Sequence, residues 1–400
     1  MSNAVRHGVL LPLAATSLVG FLLFSAGCER QSESTAAVAE SPTASAGTAV
    51  NSAAAETLSN AFWQAGQTQL IDSKAAVDAL SRAVTTLLES PTEDHLEAAK
   101  LAWLDAHREL SASQPYIQVA FAPADLHQQG EDLLLALDSW PAQAGYLDTV
   151  PGYSTSGIVN DTAIELTLAN LRKQHRLTAH EEASTGFHAL EVMLWGPTSE
   201  RTADQFEAAS GGEHPEAQAA NRRRELTRLI TEGIAEDIQG LANRWPLNAN
   251  DLSQRFLSQS PAMRMQTVRT AHVQLLRNEV LPRLPESSES DVESSLAADS
   301  KQALLAMLRT LQTVWLPESG SGGLADLLLD RPQAEALAQA FAELEARLLK
   351  MEDPFELAAP AELQRSRQQV EVMIGLISGE TRVPAQEQDM TPVSLNSSAE

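Results

Sequence analysis

The sequence predicts an all-α protein, preceded by an export signal and a disordered tether. Three observations carry this. Leu and Ala dominate while aromatics make up only 4%, a composition that favours helices over sheets. Apolar residues recur at helical spacing through nearly all of the middle of the chain. Both ends lack that spacing. With 400 residues and 43% hydrophobic content, the chain can bury one large core or two smaller ones.

Residues 1–27 read as a signal peptide, with a polar start at Arg6 and His7 and an apolar stretch from Val9 to Phe24. The stretch closes on Ser25-Ala26-Gly27-Cys28. That resembles a lipobox, in which small residues precede the cysteine that receives the lipid, although Ser25 stands where Leu is typical. Cys28 is the sole cysteine, so lipidation at Cys28 is expected, and an internal disulfide or a cysteine metal cluster is excluded. Glu29 follows rather than Asp, which favours the outer membrane. The expected location is therefore the periplasm-facing cell envelope, anchored through the lipid. Residues 28–55 are mostly Ser, Thr, Ala and Glu without periodicity and read as a disordered linker. Residues 381–400 read as a disordered tail.

The domain between them, 56–380, is expected to be helical throughout. Ala75 to Leu88 aligns Ala79, Leu80, Ala83, Val84, Leu87 and Leu88 on one face. Pro91-Thr92-Glu93-Asp94 opens the next helix, running to about Ser113, with acid in its first turn. A short helix, Gln129 to Leu137, ends at Trp140-Pro141, and a loop of some two dozen residues follows, with Pro151, Gly152 and Gly157 in it. Asp161 or Thr162 is expected to start another helix. Gly186 to Trp195 is a compact apolar helix stopped by Gly196-Pro197. Further helices span Ala219 to Trp245, Pro261 to Val280, Lys301 to Val314, Arg331 to Met351 and Ala361 to Ile377. The helix–Pro turn–helix pattern of Leu80 to Leu110 recurs in Leu344 to Leu376, which suits two related halves with a boundary near 246–260.

The formal net charge is −25. Such acidity repels nucleic acid, favours solubility and attracts cations. One helix then poses a chemical problem. In Gly186-Phe187-His188-Ala189-Leu190-Glu191-Val192-Met193-Leu194-Trp195 all but His188 and Glu191 are apolar or small. A helix apolar nearly all round is buried, and a buried unpaired carboxylate costs several kcal/mol. Glu191 lies one turn from His188, so the candidate compensations are an imidazolium, an arginine from another helix, or a metal ion. Imidazole and carboxylate at this spacing reach one transition-metal ion. They equally form a plain His–Glu hydrogen bond.

Gly186-x-His188-x-x-Glu191 followed by Leu194-Trp195-Gly196 resembles the Gly-x-His-x-x-Glu signature of imelysin-like proteins. The segments Asp138-Ser139-Trp140-Pro141, Gly145-Tyr146-Leu147-Asp148, Ala102-Trp103, Arg222-Arg223-Arg224 through Trp245, and Gly323-Leu324-Ala325-Asp326-Leu327-Leu328 resemble further family stretches, together covering about Ala55 to Ile377. The resemblance implies a pair of helical bundles with the signature near their junction. The founding member was described as an insulin-cleaving membrane protease, and others are iron-regulated or linked to iron uptake. There are departures. His107, followed by Arg108, stands where many members have Arg, Gln114 stands where a Glu is frequent, and a His-Ser-x-x-Ser-Asp stretch has a counterpart around Glu293 to Asp299 without its His.

The expected function is metal binding at the cell envelope, in uptake or handling, with iron or copper favoured and zinc feasible. His188 and Glu191 are the expected ligands, Asp148 and His107 possible further ones. Partners implied are the metal ion, the membrane through the lipid, and periplasmic proteins. Two alternatives stay open: a metallopeptidase, and a structural lipoprotein without metal. Against hydrolysis, residues 189 and 192 are Ala and Val, so the second histidine of a hydrolytic zinc helix is missing. His95, His175, His180 and His214 are expected at the surface, and the arginine run is expected as a solvated helix start.

Overall fold

The computed structural model describes residues 51–249, 251–287, 291–317 and 322–380. The leader, Cys28, most of the linker and the tail at 381–400 lie outside the described residues. What is described is all-α: thirteen α-helices, a few short 3-10 turns and one π-helical turn, with no strand among the described residues.

Two long helices set the frame. Helix α1 (Ser52–Glu89) has 38 residues and is capped by Asn51, whose side chain accepts from the Ala53 and Ala54 amides. At 1.5 Å per residue it is about 57 Å long, enough to run through both bundles. Helix α2 (Glu93–Ala120) is capped by Thr92 and carries Glu93 and Asp94 in its first turn, where they offset the helix dipole. It continues past the expected end at Ser113 because Ser111, Ser113, Gln114 and Tyr116 are all buried against neighbours, so tertiary packing overrides Pro115 within it.

Three shorter helices follow: α3 (His127–Asp138), α4 (Ala144–Leu147) and α5 (Leu168–Gln174). The expected start at Asp161 is displaced. Asp161 accepts from the Ala163 amide in a turn, and the cap of α5 is Thr167, which accepts from the Asn170 amide. Then come α6 (Phe187–Trp195), α7 (Ala219–Arg244), α8 (Leu252–Leu257), α9 (Pro261–Leu275), α10 (Ser300–Trp315), α11 (Leu324–Leu328), α12 (Arg331–Leu348) and α13 (Pro360–Ser378). The stretch expected as one helix to Val280 changes to π geometry over Leu276–Val280.

In one bundle α1 and α2 pack with α6 and α7; in the other they meet α9 and α10, which carry α12 and α13. The core is continuous across both. Tryptophans seal it: Trp63 and Trp245 stack with ring centroids 4.3 Å apart, each indole N–H donating to the other residue's carbonyl at 3.0 and 3.1 Å. His272, on α9, links α2 to α10. It donates from Nε2 to the Pro115 carbonyl at 3.1 Å, while Nδ1 accepts from Trp315 at 2.9 Å. Burial pushes its pKa down to about 4, and the indole N–H already fills the lone pair that a second proton would need.

Candidate metal centre

Every residue of α6 is buried. Its start is fixed by Gly186, which has φ +89° and lies so close to the end of α3 that a Cβ would come within 2.6 Å of the Ala136 and Leu137 carbonyl oxygens. Only glycine meets both conditions. The close approach brings His188 onto Asp138, the last residue of α3. Trp103 ties α2 to the same place, donating its indole N–H to the Phe187 carbonyl at 2.8 Å and stacking on His107 at 4.8 Å.

Among the described residues, His107, Asp138, His188 and Glu293 form a group whose ligating atoms all lie within 4.8 Å of one another. Asp138 Oδ1 is 3.2 Å from His107 Nε2 and 3.1 Å from His188 Nε2. Glu293 Oε1 is 3.6 and 3.9 Å from the same two nitrogens. A metal with bonds of about 2.0–2.2 Å sets donor–donor edges of roughly 2.8–3.6 Å. The two imidazole nitrogens and two carboxylate oxygens therefore sit at or just outside the spacing one ion requires. A further observation supports the fit: Glu293 Oε1 is buried without a hydrogen-bond partner. A buried carboxylate oxygen in that state is costly unless a cation faces it.

Arg283 closes the other side of the two carboxylates. Its Nη2 donates to Asp138 Oδ2 at 2.6 Å, and its Nε lies 2.9 Å from Glu293 Oε2, too far off line for a hydrogen bond. Its Nη1 donates to Glu279 Oε2 at 2.7 Å. Gln114 donates to Asp138 Oδ2 at 2.9 Å. Burial alone would raise the Asp138 carboxyl, but Arg283 and the hydrogen bonds from His107 and His188 outweigh it and hold the carboxyl well below its ordinary range. Burial opposes charge on His188, yet hydrogen bonds to Asp138 and Glu191 raise its pKa to about 10. Without an ion, His188 is thus an imidazolium between two carboxylates.

The structure places Glu191 differently from the expectation that it ligates beside His188. Glu191 Oε2 meets His188 at Nδ1, 2.9 Å away on the ring edge opposite Asp138, and Glu191 Oε1 accepts from the Ala297 amide at 2.8 Å. It fixes the imidazole and anchors the loop that carries Glu293. Arg108 anchors the end of that loop on Asp299, with Nε 3.0 Å from Oδ1. Asp148 is not brought into the group. It is buried against Arg201 and Arg223 at 2.7 and 2.6 Å; burial raises its carboxyl, and these guanidinium groups more than reverse that.

The arginine run likewise differs from a solvated helix start. Arg222 is buried and donates to the Ile158, Val159, Asp161 and Ile164 carbonyls of the long loop. Arg223 holds Asp148, and Arg224 donates to the Phe206 carbonyl. His180 and His214 are exposed, as expected. His95 is half-buried and contacts the Ser90 carbonyl. His175 is also half-buried: its Nε2 donates to the Leu135 carbonyl at 2.9 Å, and its Nδ1 accepts from the Ser184 amide at 3.2 Å.

Sequence reasoning did not single out Asp138, Glu293 or Arg283. Both acidic residues lay in segments noted for their family likeness, but nothing local to either shows that they converge. A cleft of about 420 Å³ reaches this region, lined by Gln114, Asp138, Trp140 and Glu279 among others.

The comparisons with known proteins agree with this architecture. A solved imelysin-like protein from Psychrobacter arcticum 273-4 superposes with TM-score 0.54 at 16% identity, covering 82% of this chain and 94% of that one. A protein from Parabacteroides distasonis ATCC 8503, described as an iron-regulated protein A precursor, gives TM-score 0.58 at 14% identity, covering 84% and 97%. At these identities the likeness concerns the fold. No curated protein matches the chain. The family model described as Imelysin matches residues 66–378, and the chain belongs to the imelysin family.

Proposed function

We propose that the protein binds one metal ion between His107, Asp138, His188 and Glu293, and serves as a cell-envelope lipoprotein in metal uptake or handling. The observation that carries this is the convergence of two imidazole nitrogens and two carboxylate oxygens, with Glu293 Oε1 buried and unpartnered. Imidazole with carboxylate suits first-row transition ions. Iron or copper is favoured, iron because a structural relative carries the name of an iron-regulated protein; zinc fits the same donors. The hydrogen bond from Glu191 to the far nitrogen of His188 is the partner that metal-bound histidines ordinarily have. The side chains of all four ligands are at most 4% exposed, which suits holding an ion better than presenting it to a peptide. Lipidation at Cys28 supplies the anchor in this reading; Cys28→Ser should move the protein from the membrane to the soluble fraction.

The test is calorimetric titration of the protein and of His188→Ala with ferrous, cupric and zinc ions. One ion per chain is expected, lost in the variant. Binding should also release the His188 proton, so the apparent heat should change with the ionisation enthalpy of the buffer. Equal, weak, non-stoichiometric heats in both proteins would contradict the proposal.

A further inference from the structure

We infer that Arg283 lowers the charge of the ion this centre accepts, shifting its preference from a trivalent toward a divalent cation. The inference rests on the metal-binding reading above and deepens it. A guanidinium stays protonated at any working pH, and the side chain of Arg283 is 1% exposed. It holds only the second oxygens of its neighbours, Asp138 Oδ2 and Glu293 Oε2. Asp138 Oδ1 and Glu293 Oε1 remain facing the two imidazoles. The guanidinium therefore occupies none of the positions an ion would use, and nothing requires it to leave when one binds. It also restricts each carboxylate to offering one oxygen.

The charge balance follows from the buried groups. Asp138, Glu191 and Glu293 supply three negative charges, and both imidazoles must be neutral at Nε2 to ligate. Arg283 cancels part of this charge, its guanidinium being shared with Glu279 at 2.7 Å. With that charge in place a trivalent ion leaves more uncompensated positive charge than a divalent one, among ligands whose side chains are at most 4% exposed, which is costly. Of the other nearby acids, Glu279 alone bears on this balance. Asp299 is paired with Arg108. Glu279 pairs with Arg283 Nη1 at 2.7 Å on the side facing the cleft and offsets part of the guanidinium's charge; a quarter exposed, it does so less than a buried carboxylate would.

The test compares zinc and gallium, a divalent and a trivalent ion that do not change oxidation state, by competition against citrate on the full chain. The quantity read is the gallium-to-zinc affinity ratio. Arg283→Met should raise it at least tenfold, because the full charge of a buried neighbour acts at short range. Arg283→Lys keeps the charge and should hold the ratio within about threefold of the parent value. Glu279→Gln leaves the guanidinium less offset and should lower the ratio, which decides the matter if Arg283→Met does not fold. Stoichiometric zinc binding with a ratio unmoved by Arg283→Met, or by Glu279→Gln where that variant decides, overturns the inference while the metal centre stands. So does an equal shift in Arg283→Lys and Arg283→Met, which would assign the effect to shape rather than charge. If the parent protein binds neither ion, the metal reading itself falls.

Discussion

Glu191→Gln separates a ligand from a residue that positions one. In the structure Glu191 accepts at both oxygens, from His188 Nδ1 at 2.9 Å and from the Ala297 amide at 2.8 Å. An amide of the same shape cannot do both. If its oxygen keeps the Ala297 amide, its NH₂ points at Nδ1 and forces the proton onto Nε2, the nitrogen the metal needs. If it is turned, two donors face each other at Ala297. Loss of such an orienting partner ordinarily lowers metal affinity by about 10–100-fold, which is roughly 1.4–2.7 kcal/mol. Titration with zinc should show one ion per chain at that reduced affinity, whereas His188→Ala should show none. If Glu191→Gln abolishes stoichiometric binding as fully as His188→Ala, Glu191 is a ligand and the assignment here is wrong. If affinity is unchanged, the hydrogen bond does not orient the ring.

Three further outcomes follow from the packing. Asp148→Asn leaves Arg201 and Arg223 without their shared counter-charge and should cost about 3–5 kcal/mol in denaturant unfolding, with zinc stoichiometry retained; loss of the ion with stability intact would return Asp148 to the ligands. Gly186→Ala places a methyl against the end of α3 at positive φ and should cost about 2–4 kcal/mol and weaken zinc binding, because it drives His188 away from Asp138; a neutral result would deny that this close approach is needed. Burial depresses His272 to about 4, whereas an unfolded histidine titrates near 6.5. Its contribution is therefore complete above pH ~6.5 and is lost as pH falls toward 4, by up to ~3 kcal/mol. His272→Gln should flatten that part of the stability–pH curve, and an unchanged slope would place the acid sensitivity elsewhere.

Much of the fold was legible because helix periodicity is local. The stripe from Ala79 to Leu88 and the apolar run of α6 each state their burial within a few turns. Boundaries were less legible where a cap competes with another polar turn, as Asp161 does with Thr167. The site was legible only in part, and for the same reason. His188 and Glu191 declare themselves because two polar residues interrupt an otherwise apolar helix. Which of them joins His107, Asp138 and Glu293 depends on Ala297, about a hundred residues further on. Asp138 reads locally as an ordinary acid at a helix end, and Glu293 is hidden in a Ser- and Glu-rich stretch that looks like surface loop. The arginines that claim Asp148 come from positions 201 and 223, and the tight turn at Gly157, whose Cβ would lie 2.4 Å from the Asp148 amide nitrogen, keeps that residue in the loop's own interior. Convergence across the junction of two bundles leaves no trace in spacing.

The signature gains a physical account from this arrangement. Gly186 permits the approach of two helix ends, His188 presents one nitrogen to the acids, and Glu191 holds the other. The remaining donors come from α2, from the end of α3 and from the loop after the π-helical turn, so both bundles contribute to one centre.

The most direct test is anomalous scattering from crystals grown with zinc and measured on both sides of the metal's absorption edge. The account predicts one strong peak per chain, about 2.0–2.2 Å from His107 Nε2, Asp138 Oδ1, His188 Nε2 and Glu293 Oε1, with Glu191 still on His188 Nδ1 and Arg283 still on Asp138 Oδ2. A crystal with no peak there, or with its only peak at exposed pairs such as His127 and Glu131, would contradict it.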